Sequence, residues 1–436
     1  MSRNFDEHPQ RLAVTNELHA RPFQPVQAPG QVMLIAFKQA ESAAKRDPEI
    51  DRGHLIALLD RFGVAHPAPG ASHHTVDMGR FVLKWERHTE FVSYTLFREG
   101  PGRELFAGDL ADHLPDDWLG DAPGKVIAAI QCEIIAAKGQ DAARAMLQGE
   151  LAQEFSAESL AAAWVVNRSI LAAGDFRIHE GGYSRFAILV CDETGPRRIG
   201  RICQRLLEIE IYRTLSMLAL PVARQTSQRI TEIESELTAM VSQFAEHTGS
   251  GTDEQVLASL TELSADIEAL AANTAFRFGA AGAYEALVQR RIEVLGEERV
   301  DGRQLFREFM LRRYEPAMRT VHAAERRLQD ISTRASRLAQ LLRTRVNVAL
   351  EAQNQDLLES MNARADMQLR LQRTVEGLSV VAISYYAVSL AGYLIAPFAE
   401  SLGLDKSASL ALVTIPIVLG VWWFVRRIRA QLEKDS

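Results

Sequence analysis

Apolar and polar positions follow different periods in successive stretches of this chain, and each period predicts a different kind of element. Residues 31–38 read as a strand, while residues 50–62 place Leu55, Ile56, Leu58, Leu59 and Phe62 on one helical face. Residues 80–98 alternate as two strands turning near residues 88–90, and residues 176–190 alternate as a second hairpin around Gly181 and Gly182. The run 126–136 is largely apolar, and periodicity alone assigns it neither to strand nor to helix. The segment 101–124, rich in Gly, Pro and Asp, is expected to cross the surface as a loop. An N-terminal α/β domain over 31–194, preceded by an arm over 1–30, follows from this mixture.

From residue 195 the strand signal ends. Residues 199–220 predict one amphipathic helix broken by Pro221, followed by helices over 222–247 and 253–300, the latter interrupted near Gly279 and Gly282. Glu232, Glu234, Glu236, Glu246, Glu262, Asp266 and Glu268 make this part, 195–315, acidic. A solvated face explains such charges, and an ion-sensing surface is the sharper alternative.

After Pro316, a favourable first-turn residue, the helical pattern meets only Gly377 before Pro397. Apolar or small residues recur at three and four: Val321, Ala324, Leu328, Ile331, Ala335, Leu338, Leu342, Val346, Ala349, then Leu357, Met367, Leu371, Val375 and Leu378, with Gln353, Ser360 and Arg364 as polar lapses. This is a coiled-coil seam, and the stretch 316–377 is expected to be a stalk helix packed on its neighbours, on copies of itself, or on both. Two apolar runs close the chain, 378–398 and 408–425, each about the ~20 residues that cross a bilayer as a helix. Arg364, Arg370 and Arg373 precede the first run and Arg426, Arg427 and Arg429 follow the second, whereas the link between them holds Lys406 against Glu400 and Asp405. The positive-inside rule then puts both termini in the cytoplasm, with 426–436 a basic tail and Trp422 and Trp423 at the inner interface.

Composition narrows the choices further. The chain has 436 residues and is 47% hydrophobic, enough for a packed core besides the spans. Its net charge of −7 argues against nucleic acid as a partner. Residues 1–10 are polar, so no cleaved leader is expected. Cys132, Cys191 and Cys203 share no short spacing, and reduced, partly buried thiols are the simplest reading.

Candidate chemistry is sparse. Glu17, His19 and Arg21 alternate, and with Pro22 and Pro25 keeping the segment extended they would share one side. Such a trio binds an anion or relays a proton; alternatively it docks an ordered arm onto its own domain. His66, His73 and His74 occupy a Pro/Gly loop without metal-site spacing. No nucleophile elbow, phosphate loop or dinucleotide fingerprint occurs, so no enzyme is expected. In the first apolar run Ser379, Ala382, Tyr386, Ser389 and Tyr393 continue the phase of the seam, forming a small or hydroxyl-bearing face that either packs against other helices or lines an axis.

The layout resembles the CorA-type magnesium channels: an α/β domain, acidic helices, a long stalk running into a first span, a short link, a second span and a basic tail. The triplet glycine-methionine-asparagine that marks that family is replaced here by Leu394, Ile395, Ala396, Pro397 and Phe398. In short words the chain resembles more closely a bacterial family of membrane-anchored proteins carrying a domain of unknown function. Those words are Asn16-Glu17-Leu18-His19-Ala20-Arg21-Pro22-Phe23, residues 205–213, and residues 374–386. This resemblance implies an inner-membrane bacterial protein and supplies no activity. The expectation is therefore an α+β membrane protein: a cytosolic α/β domain, a coiled-coil stalk and a C-terminal two-helix transmembrane hairpin. Its partners are the bilayer and copies of itself, and its role is binding or sensing, with a stalk-gated ion channel or transporter as the alternative. No organic cofactor is expected, and a divalent cation is left open.

Overall fold

The computed structural model describes residues 6, 8–17, 23–39, 46–107, 110–246, 250–401 and 406–432. A nine-stranded sheet carries the N-terminal part, in the order β2-β3-β4-β1-β5-β8-β7-β6-β9. Its strands are β1 (Gly30–Lys38), β2 (His73–Asp77), β3 (Val82–Arg87), β4 (Phe91–Glu99), β5 (Lys125–Ala136), β6 (Ala161–Val165), β7 (Ile170–Ile178), β8 (Ser184–Val190) and β9 (Glu298–Arg299). The ambiguous run 126–136 is thus a strand, and its largely apolar character has a cause. Strand β5 lies mid-sheet, antiparallel to β1 and parallel to β8, with helices over both faces. Both expected hairpins form, β3 with β4 and β7 with β8, the second turning through Gly182 at φ 84°.

Short helices cover one face. Helix α1 (Arg11–Glu17) precedes the sheet; α2 (Pro48–Phe62) and α3 (Asp116–Gly120) pack Leu55, Leu58, Leu59 and Trp118 onto Met33, Ile35, Leu83, Trp85 and Tyr94. Farther along, α4 (Gln140–Gln148) and α5 (Glu150–Glu154) set Leu147 and Leu151 on Trp164, Leu171 and Leu189. The segment 101–124 therefore does more than cross the surface. Leu110, Leu114 and Trp118 are buried because this stretch supplies part of the layer that closes the core. His73 and His74 likewise lie on edge strand β2, opposite Glu86 and Trp85, rather than in the Pro/Gly loop that holds His66.

The helices that follow are α6 (Pro196–Met217), α7 (Ala219–Glu246), α8 (Ser250–Leu295), α9 (Phe306–Phe309), α10 (Glu315–Ser401) and α11 (Lys406–Leu432). The opposite face of the sheet shares its core with α6, the start of α7, residues 278–295 of α8, α9 and residues 318–324 of α10. Helix α6 ends at Met217, three residues short of the expected limit, because the ring of Pro221 would meet the carbonyl four residues back; the proline sits instead in the first turn of α7. Helix α8 runs straight through Gly279 and Gly282 and stops at Leu295, before Gly296 at φ 62°. Each glycine costs only about 1 kcal/mol against alanine, which the burial of Phe278, Ala281 and Val288 on the same helix outweighs. The long helix also starts earlier than Pro316. Residues Phe306–Phe309 lead through a π-turn, Met310–Tyr314, into α10, and the widened turn precedes Pro316 where an α-helical carbonyl would clash with the ring. Glu297 caps the beginning, accepting from the amides of Phe306 at 2.8 Å and Arg307 at 3.1 Å. At Gly377 the helix is continuous.

Two compact units result, Met1–Glu246 with Ala258–Leu338, and His247–Leu257 with Ala339–Ser436. In the first, the seam residues Val321, Ala324, Leu328, Ile331, Ala335 and Leu338 are buried. Acidic positions of α7 and α8 meet partners there: Glu234 accepts from Arg327 at 2.8 Å and Asp266 from Arg229 at 3.1 Å. In the second unit Leu342 is buried, but residues 351–375 of α10 are exposed on every side, including Leu357, Met367, Leu371 and Val375. The end of α10 and α11 are both long and apolar enough to cross a membrane. They approach closely at Gly392, where a Cβ would stand 2.6 Å from Cδ1 of Leu410.

Candidate functional site

Alternation along β3 and β4 sends Leu83, Trp85, Val92, Tyr94 and Leu96 into the core and leaves Lys84, Glu86, Ser93 and Thr95 on the other face. In an open sheet that second face would meet water. Here α6 covers it, so Lys84, Ser93 and Thr95 are buried around a cavity of about 250 Å³. Lys84 Nζ lies 3.0 Å from Glu86 Oε1, and from the helical side Glu208, held by Arg291, completes the polar lining. Phe23 and Gln24 close one end. Gly200 on α6 makes this closure feasible, since any Cβ there would collide with the backbone carbonyl of Gln24.

A second cavity, about 420 Å³, adjoins the first and shares His88, Phe91 and Tyr212 with it. The first turn of α2 contributes Asp51, whose fully buried carboxylate accepts a two-pronged bond from Arg46, Nε to Oδ2 at 2.7 Å and Nη2 to Oδ1 at 2.8 Å. Beside it Glu90, also buried, accepts from Arg277 and, at 3.3 Å, from the Tyr284 hydroxyl, with Lys38 Nζ at 3.9 Å. Burial lowers the Lys38 ammonium pKa, the positive charge of Arg277 lowers it further, and Glu90 opposes both. Burial and the Glu90 charge together raise the Tyr284 hydroxyl. Tyr284 stacks on Tyr212, centroids 5.6 Å apart and planes 12° from parallel, forming a flat wall.

His54 and Glu133 are buried polar groups whose partners lie within the fold. His54 Nδ1 lies 2.7 Å from the Tyr94 hydroxyl and Nε2 2.9 Å from the Trp118 carbonyl, while its ring stacks on Trp118; burial lowers its pKa and favours the neutral ring. Glu133 accepts from Gln31 at 2.8 Å and from the Phe106 amide at 3.1 Å. The cysteines are free and buried, with Cys191 pushed up to about 11 by burial. Among the described residues no cluster of His, Cys, Asp and Glu is placed to hold a metal ion.

Of the sequence-derived candidates, Glu17 is the last residue of α1, so the segment is helical rather than extended up to that point; His19 and Arg21 lie outside the described residues. Phe23, from the same word of sequence, does reach the smaller cavity. Ser379, Ala382, Tyr386 and Tyr393 are exposed and Ser389 is half-buried. The covered side of the same helix runs instead through Val380, Ser384, Ala387 and Ala391, and Ser384, 6% exposed, keeps an unpaired Oγ. The lining residues Arg46, Asp51 and Tyr284, and the neighbouring group Lys38, Glu90 and Arg277, escaped the sequence reading. They come from distant segments, and the one local signal was the polar alternation at Lys84, Glu86, Ser93 and Thr95.

The family described as "protein of unknown function (DUF3422)" matches residues 6–432. No curated protein matches the sequence. Among solved structures, one described as the full-length CmaX protein is similar at 15% identity, covering 76% of this chain and 93% of that one with a TM-score of 0.20, a likeness too slight to argue from.

Proposed function

From the premise that the chain belongs to the DUF3422 family, whose description carries no activity, we propose that it is a membrane-anchored, self-assembling protein whose sheet domain binds a small ligand in the cleft formed by the two adjoining cavities, between β3–β4 and α6 and beside the first turn of α2. In this reading the end of α10 and α11 form a hairpin in the bacterial inner membrane, the sheet domain and the C-terminus face the cytoplasm, and copies of α10 pair along the seam. The observation that carries it is the contrast along one stripe: Ile331 is 1% exposed and Leu357 is 55% exposed, yet both continue the same three-four spacing. A stripe that keeps Leu357, Met367, Leu371 and Val375 where its own chain no longer covers them calls for another chain. Binding, rather than catalysis, is supported by a cleft rich in cations, hydroxyls and aromatic rings.

Membrane fractionation followed by the mass of the detergent-solubilised particle tests this reading. A membrane-bound multimer is expected; a chain that stays monomeric and water-soluble without detergent overturns it. A second reading, ion passage gated by the stalk, is favoured by one observation: Tyr386 is 67% and Tyr393 81% exposed, on a side that α11 leaves uncovered. Divalent-cation flux into reconstituted vesicles, lost on Tyr386→Phe with Ser389→Ala, would support it; absence of flux would remove it.

A further inference from the structure

We propose that the larger cavity is a binding site for a phosphate-bearing small molecule, anchored by Arg46; this rests on the reading of the cleft as a ligand site and names what it takes. Arg46 is the carrying observation. Its side chain is 5% exposed and lines the cavity, and two of its nitrogens are committed to Asp51, yet Nη1 is buried with no acceptor. Folded chains seldom leave such a donor unmet, and Asp51 holds the guanidinium so that this edge cannot turn away to find one.

The surroundings ask for an anion. Arg277 does not itself line the cavity, but its Nη1 is a second buried donor without an acceptor, and its other terminal nitrogen holds Glu90, to which the lining residue Tyr284 also donates. Lys38 stands close enough to both arginines for their charges to depress its pKa. The two buried acids do not offset this excess of donors. Asp51 spends both oxygens on Arg46, and Glu90 spends its own on Arg277, Lys38 and Tyr284. Arg87 and Thr89 line the same space, and Pro48 brings to it the amino end of the 15-residue helix α2, where the backbone dipole favours negative charge.

A guanidinium edge fixed in direction, with further donors around it, suits the several oxygens of a phosphate better than the two of a carboxylate. The volume, about 420 Å³, exceeds a bare phosphate and falls within the range of small-molecule pockets. The stacked Tyr212 and Tyr284 would face the remainder of the ligand, which points to a phosphate ester rather than a free ion.

Titration calorimetry on the full-length, detergent-solubilised protein at constant ionic strength tests the assignment, with pyrophosphate, AMP, short-chain phosphatidic acid and adenosine as probes. Saturable binding of at least one phosphorylated probe is expected, with none for adenosine. Arg46→Lys, which keeps the charge and removes the free edge, should weaken binding about tenfold or more. Because that variant disturbs a buried pair, Arg87→Gln serves beside it and should weaken the same binding, with a cooperative melting curve of each variant as the check that it is folded. Loss of AMP binding in both variants assigns a soluble ester; loss confined to phosphatidic acid assigns a lipid headgroup. Failure of every phosphorylated probe to bind, or binding that neither variant weakens, overturns the proposal. A monomeric, water-soluble particle that still binds AMP through Arg46 would sink the membrane-assembly reading and leave this site standing.

Discussion

Ile331→Ala and Leu357→Ala remove side chains from the same stripe of α10 and should behave in opposite ways on dilution. Ile331 is 1% exposed within the first compact unit, so its truncation leaves a cavity among groups of its own chain and costs about 2–5 kcal/mol of folding stability at any protein concentration. Leu357 is 55% exposed, and alanine there costs the single chain almost nothing, since the new residue favours a helix at least as well. If a second copy covers that exposed half, full burial of leucine at about 1.5–3 kcal/mol scales to a loss of about 1–1.5 kcal/mol per subunit, felt only by the assembled form. Thermal unfolding followed by tryptophan fluorescence across a dilution series in detergent separates the two. The Ile331→Ala curve should shift by the same amount throughout, and the Leu357→Ala curve should rejoin the parent at the lowest concentrations. A Leu357→Ala deficit that does not change with concentration would show that the stripe is covered within one chain and would refute the reasoning.

Three further expectations follow from buried groups. His54 has a pKa lowered by burial from its ordinary 6.5, so the unfolded chain takes up a proton that the folded one refuses. Stability is therefore complete above pH 6.5 and declines as pH falls below it, by no more than about 1.4 kcal/mol per unit, and His54→Gln should flatten part of that decline in a melting-temperature series. Glu133→Ala should lower the melting temperature by removing the acceptor of Gln31 Nε2 and the Phe106 amide, at a cost of about 1–3 kcal/mol for each donor left bare; an unchanged melt would mean that water replaces it. Gly392→Ala should be tolerated, because the colliding atom is the movable end of Leu410, whereas Gly392→Val should force α10 and α11 apart and lower the detergent melting temperature; equal behaviour of the two would count against close packing there.

Where local period and burial agree, the sequence is readable. β1, α2, both hairpins and the upper stripe of α10, Val321 to Leu338, lie where their spacing puts them, because each presents an apolar face that is buried. The departures have separate causes. Gly279 and Gly282 look like stops, but a helix stops only when backbone entropy outweighs packing, and Phe278, Ala281 and Val288 on either side decide the matter. Pro316 looks like a start until the π-turn before it removes the clash. Strand β5 is buried on both faces and largely apolar on both, with Gln131 and Glu133 its polar positions, which blurs the alternation that identifies a strand. The cleft was hidden for a different reason. Polar residues on alternate positions of β3 and β4 read as a wet face, and nothing in their own segments announces that α6 lies over them or that Arg46, Arg277 and Tyr284 arrive from elsewhere. The histidine-bearing word at residues 16–23 stands out by its chemistry, and its Phe23 lines a cavity.

The π-turn at Met310–Tyr314 also sets how the chain tolerates changes in length. Every residue added to or taken from a regular helix spins all that follows by about 100°. A turn already holding one residue too many can surrender it and leave the azimuth of Val321 through Leu342 untouched, though Pro316 would then meet a carbonyl it now avoids. The same deletion beyond Glu315 would rotate those residues off their partners. The few positions before Glu315 thus act as the one place where the register of the rod can be edited without rewriting what it touches.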